Sequence, residues 1–310
     1  MGSPLSLHAL LALVATAGAF TAWHWPEEES SDEQILIQGE LERVEWREDN
    51  WQVSLYKGDD KRLWVDVEKN NELDNSRKKK TYMASKQAQT LFRGLSVLKV
   101  HRSLGNLSDL SDFGIRESQE KLRLQYKHMA LSLDIGGGTY GKAQTYIRDE
   151  SQGIHLIGSN RVAGLRHGAT GLVERKIFPM DFKDLERATL RQGESERKFV
   201  GRKASVGNDF FLAAAAEPDQ KLEKSSAWMG RLFRLRMVDV GAEIPQEKPS
   251  FVVEFLTQGQ EQETVRIWRP NERVAFMQVG HYRDALMVSK HEVQALIDDL
   301  PDVFSEGRLD

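Results

Sequence analysis

The first 26 residues constrain this chain more than any other segment. From Leu5 to Trp25 the sequence contains no Lys, Arg, Asp or Glu, and the first fixed charge is Glu27. Twenty-one helical residues at about 1.5 Å each reach about 31 Å, enough to cross the hydrocarbon core of a bilayer. Trp23 and Trp25 lie where an interfacial aromatic belt is expected. The pattern predicts a membrane anchor over residues 1–26 that contacts the lipid bilayer through residues 5–25.

Two other interpretations of this segment stay open. Ala17-Gly18-Ala19 is an A-x-A site, and cleavage there would leave a chain beginning at Phe20. The basic n-region of a signal peptide is missing, however, and the apolar character continues to Trp25, so an uncleaved anchor is favoured. A buried helix of a soluble protein is the remaining alternative. Because only four residues precede the helix, we expect them to stay in the cytoplasm and the rest of the chain to lie outside.

Composition excludes several classes of protein. The net charge is −4 and the pI is near 6.1, whereas a dedicated nucleic-acid binder usually carries a basic face, so we expect no nucleic-acid partner. The absence of cysteine removes disulfides, thiolate chemistry and cysteine-ligated metal sites. A hydrophobic content of 40% and a charged content of 29% are ordinary for a folded globular protein.

After the anchor the sequence predicts an acidic spacer over residues 27–40 and then one pattern of elements in two units, 41–172 and 173–310. The spacer begins with five acids in seven residues, which is typical of a solvated segment. In the first unit a strand pair precedes a helix, and four strands and a short helix follow. These elements are predicted at Leu41–Trp46, Trp51–Tyr56, Ala84–Arg102, Leu122–Tyr126, Ala130–Ile135, Ala143–Arg148, Ile154–Ile157 and Arg161–His167.

The second unit repeats this order. Its strands are predicted at Glu186–Leu190, Lys198–Arg202, Phe210–Leu212, Phe251–Leu256, Thr264–Trp268 and Val274–Val279, and its helices at Ser226–Val238 and Ser289–Leu300. The repeat aligns Phe210-Phe211-Leu212 with Trp51-Gln52-Val53. Gly58–Thr81 is interpreted as an insertion with an extra strand at Leu63–Val67. Ser289 and Glu292 predict a capping box. The whole pattern predicts an α+β protein: an N-terminal transmembrane helix followed by a tandem repeat of mainly antiparallel sheet units packed by helices.

The insertion ends in a basic run, Arg77-Lys78-Lys79-Lys80. Such a cluster could contact anionic lipid headgroups. The run is short, however, so a solvated loop flanking a helix is the favoured interpretation.

A glycine-rich segment, Asp134–Lys142, suggests a nucleotide site in two ways. Gly136-x-x-x-x-Gly141-Lys142 nearly matches a phosphate loop, but Ala143 stands where a Ser or Thr must bind magnesium, and a strand pattern follows instead of a helix. The segment also looks like the second phosphate loop of actin-like and Hsp70-like ATPases, yet the companion loops of those proteins are missing. The favoured interpretation is a β-hairpin turn whose glycines adopt positive φ angles. Nucleotide binding through residues 134–142 is kept as an alternative.

No other pattern predicts a reaction. The eight histidines are scattered, without the His-x-x-x-His spacing of a metalloprotease, and there is no Gly-x-Ser-x-Gly elbow of a hydrolase. His155 is interpreted as a partly exposed strand residue, because nothing around it in the sequence supplies a second metal ligand. We therefore predict no catalytic, cofactor-binding or metal-ligating residues, no cofactor and no enzymatic activity.

Several soft motifs between residues 41 and 300 together resemble a known family. They are Phe113-Gly114-Ile115, Leu131-Ser132-Leu133-Asp134-Ile135-Gly136-Gly137, Thr145-Tyr146-Ile147-Arg148, Ile154-His155-Leu156-Ile157, Val162-x-x-Leu165 and Leu172-Val173-x-Arg175. With the N-terminal membrane helix and the strand pair at Trp51, they resemble the bacterial family catalogued as domain of unknown function 4340. The chain departs from this family by the Gly58–Thr81 insertion and by Phe210-Phe211, where a Trp is common. The resemblance transfers no functional residues.

The resemblance implies an envelope protein, often encoded beside ABC-2-type exporter or gliding-associated transport genes. We therefore expect a single-pass inner-membrane protein with a periplasmic body, which serves as a non-catalytic accessory or scaffold of an ABC-2-type transport assembly. An ABC-type permease or another envelope protein is the expected partner. A periplasmic ligand-binding module, with a cleft between the two units, is the second alternative beside nucleotide binding.

Overall fold

The computed structural model describes residues 33–71, 76–115, 119–204, 209–257, 262–269, 274–282 and 284–307. The predicted anchor, residues 1–26, and residues 27–32 of the predicted spacer lie outside this range. Within the described residues the longest helix has 12 residues, and no helix is both long and apolar enough to span a membrane.

Most of the first unit is one nine-stranded antiparallel sheet. Its strands are β2 (Leu41–Glu48), β3 (Trp51–Lys57), β4 (Leu63–Asn71), β5 (Ser76–Met83), β7 (Arg102–Gly105), β8 (Lys121–Tyr126), β9 (Met129–Gly138), β10 (Gln144–Arg148) and β11 (Ile154–Gly158). A separate pair consists of β1 (Gln34–Gln38) and β6 (Val97–Val100). The helices are α1 (Lys86–Leu95) and α2 (Asn160–Arg166), with a 3₁₀ turn at Ser111–Phe113.

The second unit contains another nine-stranded antiparallel sheet. Its strands are β12 (Leu185–Gln192), β13 (Ser195–Lys203), β14 (Phe210–Ala214), β15 (Glu217–Leu222), β16 (Met237–Ala242), β17 (Phe251–Thr257), β18 (Gln262–Trp268), β19 (Val274–Val279) and β20 (Ala285–Ser289). Its helices are α3 (Glu223–Arg234), α4 (Lys290–Asp298) and α5 (Leu300–Ser305), and a 3₁₀ turn at Phe182–Asp184 precedes β12.

The two sheets have the same strand order. It is β5-β4-β3-β2-β8-β9-β10-β11-β7 in the first and β15-β14-β13-β12-β17-β18-β19-β20-β16 in the second. In each unit four strands lead into a helix and the chain crosses to the far edge of the sheet. It then returns to the centre, from which a four-stranded meander runs out to that far edge. The predicted α+β fold with mainly antiparallel sheets is therefore confirmed.

Each sheet buries one face, called the inner face, under the helices of its own unit. In β2, Val44 and Trp46 are fully buried on this face, while Arg43, Glu45 and Arg47 point to the opposite, outer face. This is the period-two alternation expected of a half-buried antiparallel sheet. Leucine and phenylalanine side chains from the helices complete the two cores, and all five described helices contribute to an inner-face core.

Two predicted helices are shorter in the structure. Ser85 caps α1, its hydroxyl accepting from the backbone N–H of Ala88 at 3.2 Å, but the helix ends at Leu95 and not at Arg102. Val97–Val100 instead pairs with β1, because its alternating apolar residues suit a strand. Likewise α3 does not extend to Val238, since Met237 already pairs with β20. The predicted cap of α4 is confirmed: the Ser289 hydroxyl accepts from the Glu292 backbone N–H.

The repeat prediction misplaced three segments. Gly58–Thr81 is not an insertion, because its strands β4 and β5 occupy the positions that β14 and β15 occupy in the second sheet. Phe210 therefore begins the counterpart of β4. Its predicted alignment with Trp51, the first residue of β3, is wrong. The acidic spacer predicted over residues 27–40 includes strand β1, because the alternation at Ile35 and Ile37 allows pairing with β6.

The two sheets meet edge to edge at a seam between β5 and β16. The connecting segment 172–176 lies between these edges: Glu174 N–H donates to Met83 O at 2.8 Å, and Met237 N–H donates to Arg175 O at 2.9 Å. Side chains extend the contact, since Asp239 of β16 accepts from Lys80 and, at 2.8 Å, from the Tyr82 hydroxyl of β5. These bonds join the two units through both backbone and side chains.

Candidate functional site

The glycine-rich segment Asp134–Lys142 forms the end of β9 and the turn into β10. Because β10 begins at Gln144, a strand stands where the helix of a phosphate loop would begin. The turn itself contains the positive φ angles, 83° at Gly141 and 58° at Lys142. The predicted β-hairpin is confirmed.

At Gly136 glycine is required by close packing and not, as predicted, by a positive φ angle. It lies within β9, and a Cβ atom there would overlap the carbonyl oxygen of Phe113. Its own carbonyl accepts from Arg166 of α2 at 3.0 Å, and Arg166 also donates to the Glu120 carboxylate at 2.7 Å. The glycine therefore permits the close approach of the Phe113 turn to the strand.

His155 is buried, with 8% of its surface exposed, so the prediction of a partly exposed residue is wrong. Its Nε2 lies 3.1 Å from Oδ2 of Asp149. The other oxygen of this carboxylate, Oδ1, accepts from the Ser151 hydroxyl and from the Gly153 N–H, both at 2.8 Å. Burial alone would raise the pKa of Asp149, but these hydrogen bonds lower it below its usual value. The pair holds the turn between β10 and β11 in place.

The basic run 77–80 lies in strand β5 and not in a solvated loop. Lys79 Nζ is 2.8 Å from Oδ2 of Asp66, a residue with 2% of its surface exposed, and Lys80 bonds to Asp239 across the seam. Asp66 also accepts from the Thr81 hydroxyl at 2.7 Å. Both lysines are therefore paired with carboxylates of the protein itself.

A cavity of about 480 Å³ opens on the outer face of the first sheet, and we call it the outer-face cavity. Strands β2, β3, β8, β9 and β10 and the turn held by His155 and Asp149 form its walls. Four cations and four acids line it: Arg47, Lys121, Arg123 and Arg148, and Glu45, Asp134, Asp149 and Glu150. Gln52 and Ser132 add neutral hydrogen-bonding groups.

Three of these acids are engaged by groups that neutralise or hold them. Asp134 Oδ2 accepts from Arg148 at 3.1 Å (Nε) and 2.5 Å (Nη2). Glu45 lies 2.8 Å from Arg43, which is outside the cavity lining. Asp149 is held by the bonds described above. Glu150 is the acid of the cavity without such a partner among the described residues.

The cations are less completely compensated. Arg47 and Lys121 stand directly opposite each other on β2 and β8. Lys121 reaches Asp134 only at 4.0 Å, and Arg47 donates to the neutral Gln52 at 3.3 Å. Arg123 forms no ion pair in the described part of the chain. The result is a group of three exposed cations, Arg47, Lys121 and Arg123, on one wall of the cavity.

Sequence reasoning missed this group. Alternation does place Lys121 and Arg123 on the same face of one strand, but only the pairing of β2 with β8 brings Arg47 to them. Among the described residues no group of three or more His, Cys, Asp or Glu is placed to hold a metal ion.

Comparison with known proteins adds the family. A family model described as Domain of unknown function (DUF4340) matches residues 77–251, which is more than half of the chain. The match runs from β5 to the start of β17 and so crosses the seam, although it is narrower than the expected 41–300. No curated protein and no solved structure matches the chain. The resemblance of the sequence motifs is thus confirmed, and the chain belongs to the DUF4340 family, a domain of unknown function.

Proposed function

We propose that this protein is a non-enzymatic accessory or scaffold subunit of a bacterial ABC-2-type envelope transport assembly. In this proposal residues 5–25 anchor it in the inner membrane and its body lies in the periplasm. The observation that supports a scaffold is the seam, which joins two nine-stranded sheets into one extended body. The α-helices of the described residues all lie on the inner faces, so the outer faces carry loops, the 3₁₀ turn at Ser111–Phe113 and exposed strand residues that can contact partners.

We further propose that the two units are copies of one ancestral unit. The equal strand order supports this, as does the equivalent place of α1 and α3 after the fourth strand of each sheet. Superposition of 41–172 on 186–300 is the corresponding measurement, and it should align β2 with β12 and β8 with β17.

Nucleotide binding through residues 134–142 is the less supported alternative. A strand follows the turn, and Gly136 is explained by the approach of Phe113. If the segment is only a turn, calorimetry should show no ATP binding that depends on Lys142. Micromolar ATP binding that Lys142→Ala abolishes would reverse this preference, because a lysine on phosphates makes charge-assisted contacts.

The anchor is tested by washing membranes with alkaline carbonate. The full-length chain should stay with the membrane pellet. Its release into the supernatant would refute the anchor, and a shortened chain beginning at Phe20 would show cleavage at Ala17-Gly18-Ala19.

The scaffold role is tested by co-expression with a bacterial ABC-2-type permease. Tagged full-length protein should co-purify with the permease from detergent-solubilised membranes, whereas an unrelated single-pass protein expressed at the same level should not. If both proteins insert into the membrane and no complex forms, the proposed assignment to a transport assembly is wrong.

A further inference from the structure

We propose that the outer-face cavity binds an oxyanion, a phosphate or carboxylate group of a small ligand, through Arg47, Lys121 and Arg123. This inference goes beyond the scaffold role and does not rest on the membrane anchor or on a transport partner. It comes from comparing one position that the two sheets share.

The two hairpins at the centre of the sheets place Arg47 and Arg191 at equivalent points. In the first hairpin Glu48 pairs with Trp51 and Arg47 with Gln52. In the second, Gln192 pairs with Ser195 and Arg191 with Glu196. Each arginine is therefore one position before the last pair of the hairpin, and each points to the outer face of its sheet.

The second unit neutralises its arginine completely. Arg191 donates to Glu196 at 2.8 Å and to Glu254 at 2.6 Å. The residue directly opposite it on β17 is the uncharged Val252. Both carboxylates next to Arg191 are therefore paired with it, and Lys198 also lies 3.2 Å from Glu196.

The first unit has the same frame without those two acids, although Glu45 takes the place of Thr189 and Asp134 that of Arg266. Gln52 takes the place of Glu196, Lys121 that of Val252, and Arg123 that of Glu254. Two carboxylates are thus replaced by an amide and a cation, and a second cation is added. Like charges directly opposite each other in a sheet destabilise it, so the pair of Arg47 and Lys121 has an unfavourable interaction that a bound anion would relieve.

The acids of the cavity do not remove this positive charge. Asp134, the acid closest to Lys121, is already bound by Arg148 through two nitrogens. Asp149 is bound by His155, Ser151 and Gly153, and Glu45 by Arg43. Lys121 still lies 4.0 Å from Asp134, Glu45 is directly opposite Arg123, and Glu150 is the third acid near the three cations.

The donors define the class of ligand. Two guanidinium groups present paired N–H donors that fit the oxygens of a phosphate or carboxylate, and a lysine adds a point charge. Ser132, which lies opposite Arg123 on β9, can add a neutral hydrogen bond. A cavity of about 480 Å³ suits a small molecule, of which the oxyanion would be one part.

The test is calorimetry on the full-length chain in a neutral detergent, with pyrophosphate and citrate as probes. We expect saturable binding of at least one of them. The affinity should fall as NaCl is raised, because salt screens exposed charges. Binding of pyrophosphate alone would assign phosphate as the oxyanion, and binding of citrate alone would assign carboxylate.

A triple variant, Gln52→Glu with Lys121→Val and Arg123→Glu, gives these three positions the residues that surround Arg191 in the second unit. It should bind the probe at least about tenfold more weakly, which corresponds to about 1.4 kcal/mol. Its thermal unfolding should confirm that it remains folded, because all three side chains lie on the outer face.

Arg47→Gln and Arg191→Gln form a matched pair, since each removes one positive charge at the same place in a sheet. Arg47→Gln should weaken binding, and Arg191→Gln should leave it unchanged. The proposal is wrong if neither probe binds saturably, if the folded triple variant binds as well as the natural chain, or if both arginine variants weaken binding equally. Such a result would leave the membrane and co-purification tests of the scaffold role untouched.

Discussion

At Arg47 and Arg191 the two sheets place the same residue at the same point of the same hairpin, with opposite electrostatic surroundings. Arg191 is held by two glutamates, whereas Arg47 faces a glutamine and two further cations. The inner faces behave differently. Val44 and Trp46 in β2 correspond to Ala188 and Leu190 in β12, and all four are buried and apolar.

This contrast shows at which positions of the unit the fold restricts the type of residue. The inner face must exclude water to hold helices against the sheet, so only apolar residues are suitable there. Among the described residues the outer face packs against no α-helix, and its exposed residues can change charge without loss of the core. A difference in function between the two units is therefore to be sought on the outer faces.

The largest expected loss of stability tests whether the inner faces of the two units are equivalent. Leu95→Ala and Leu232→Ala remove fully buried side chains of α1 and α3, and each should lower the free energy of unfolding by about 2–5 kcal/mol. Urea denaturation followed by circular dichroism measures this, with Lys86→Ala at an exposed position of α1 as the control. A loss below about 1 kcal/mol in one unit only would break the comparison and mark that helix as a surface for a partner.

The next effect concerns the close approach of the Phe113 turn to strand β9 in the first unit. Gly136→Ala should lower the free energy of unfolding by about 1–3 kcal/mol, because the new methyl group overlaps the carbonyl oxygen of Phe113. Gly138→Ala is the control, since a Cβ there meets its nearest neighbour at 3.6 Å. Equal stability of the two variants would show that the glycine serves something other than close packing.

The seam between the units should respond to acid. Burial raises the pKa of Asp239, but the bonds from Lys80 and Tyr82 outweigh it and leave the pKa below 3.8. A depressed pKa in the folded state stabilises the protein at pH values above the unfolded pKa, and this stability is lost as the pH falls through the folded pKa.

Asp239→Asn should therefore cost about 1–2 kcal/mol at neutral pH, at the lower end for charged hydrogen bonds because water screens a partly exposed group. The difference in unfolding free energy between this variant and the natural chain should shrink below about pH 4. Urea titrations between pH 3 and pH 7 measure it. A difference that does not change with pH would mean that the Asp239 charge contributes nothing to the seam.

The smallest effect compares the two arginines in the absence of ligand. Arg191→Gln removes two ion pairs and should lower the melting temperature slightly, whereas Arg47→Gln removes like-charge repulsion and should leave it unchanged or raise it. Scanning calorimetry at low salt measures both, and high salt should reduce the difference. If Arg47→Gln is the more destabilising change, the cations of the outer-face cavity are not in an unfavourable arrangement.

Local sequence patterns predicted much of the fold. The hairpin of β2 and β3, the meander from β8 to β11 and the cap of α4 at Ser289 follow from alternation, turn residues and capping, which involve neighbours in the chain. The prediction missed strands β1, β5, β6, β7, β15, β16 and β20. Most of them have polar or mixed residues and form strands only through distant partners. Asp239 illustrates this, since its partners Lys80 and Tyr82 belong to the other unit.

The sequence by itself determined which residues face inward, where the chain turns and that the sheets are antiparallel, because apolar alternation and turn chemistry act over a few residues. It also carried the soft motifs that identified the family. Only the tertiary structure decided that residues 58–81 are a regular part of the unit, that Lys79 and Lys80 are paired, and that Arg47, Lys121 and Arg123 share one wall of a cavity. Those outcomes depend on which strands pair, and strand pairing is a long-range choice made by the burial of the whole inner face.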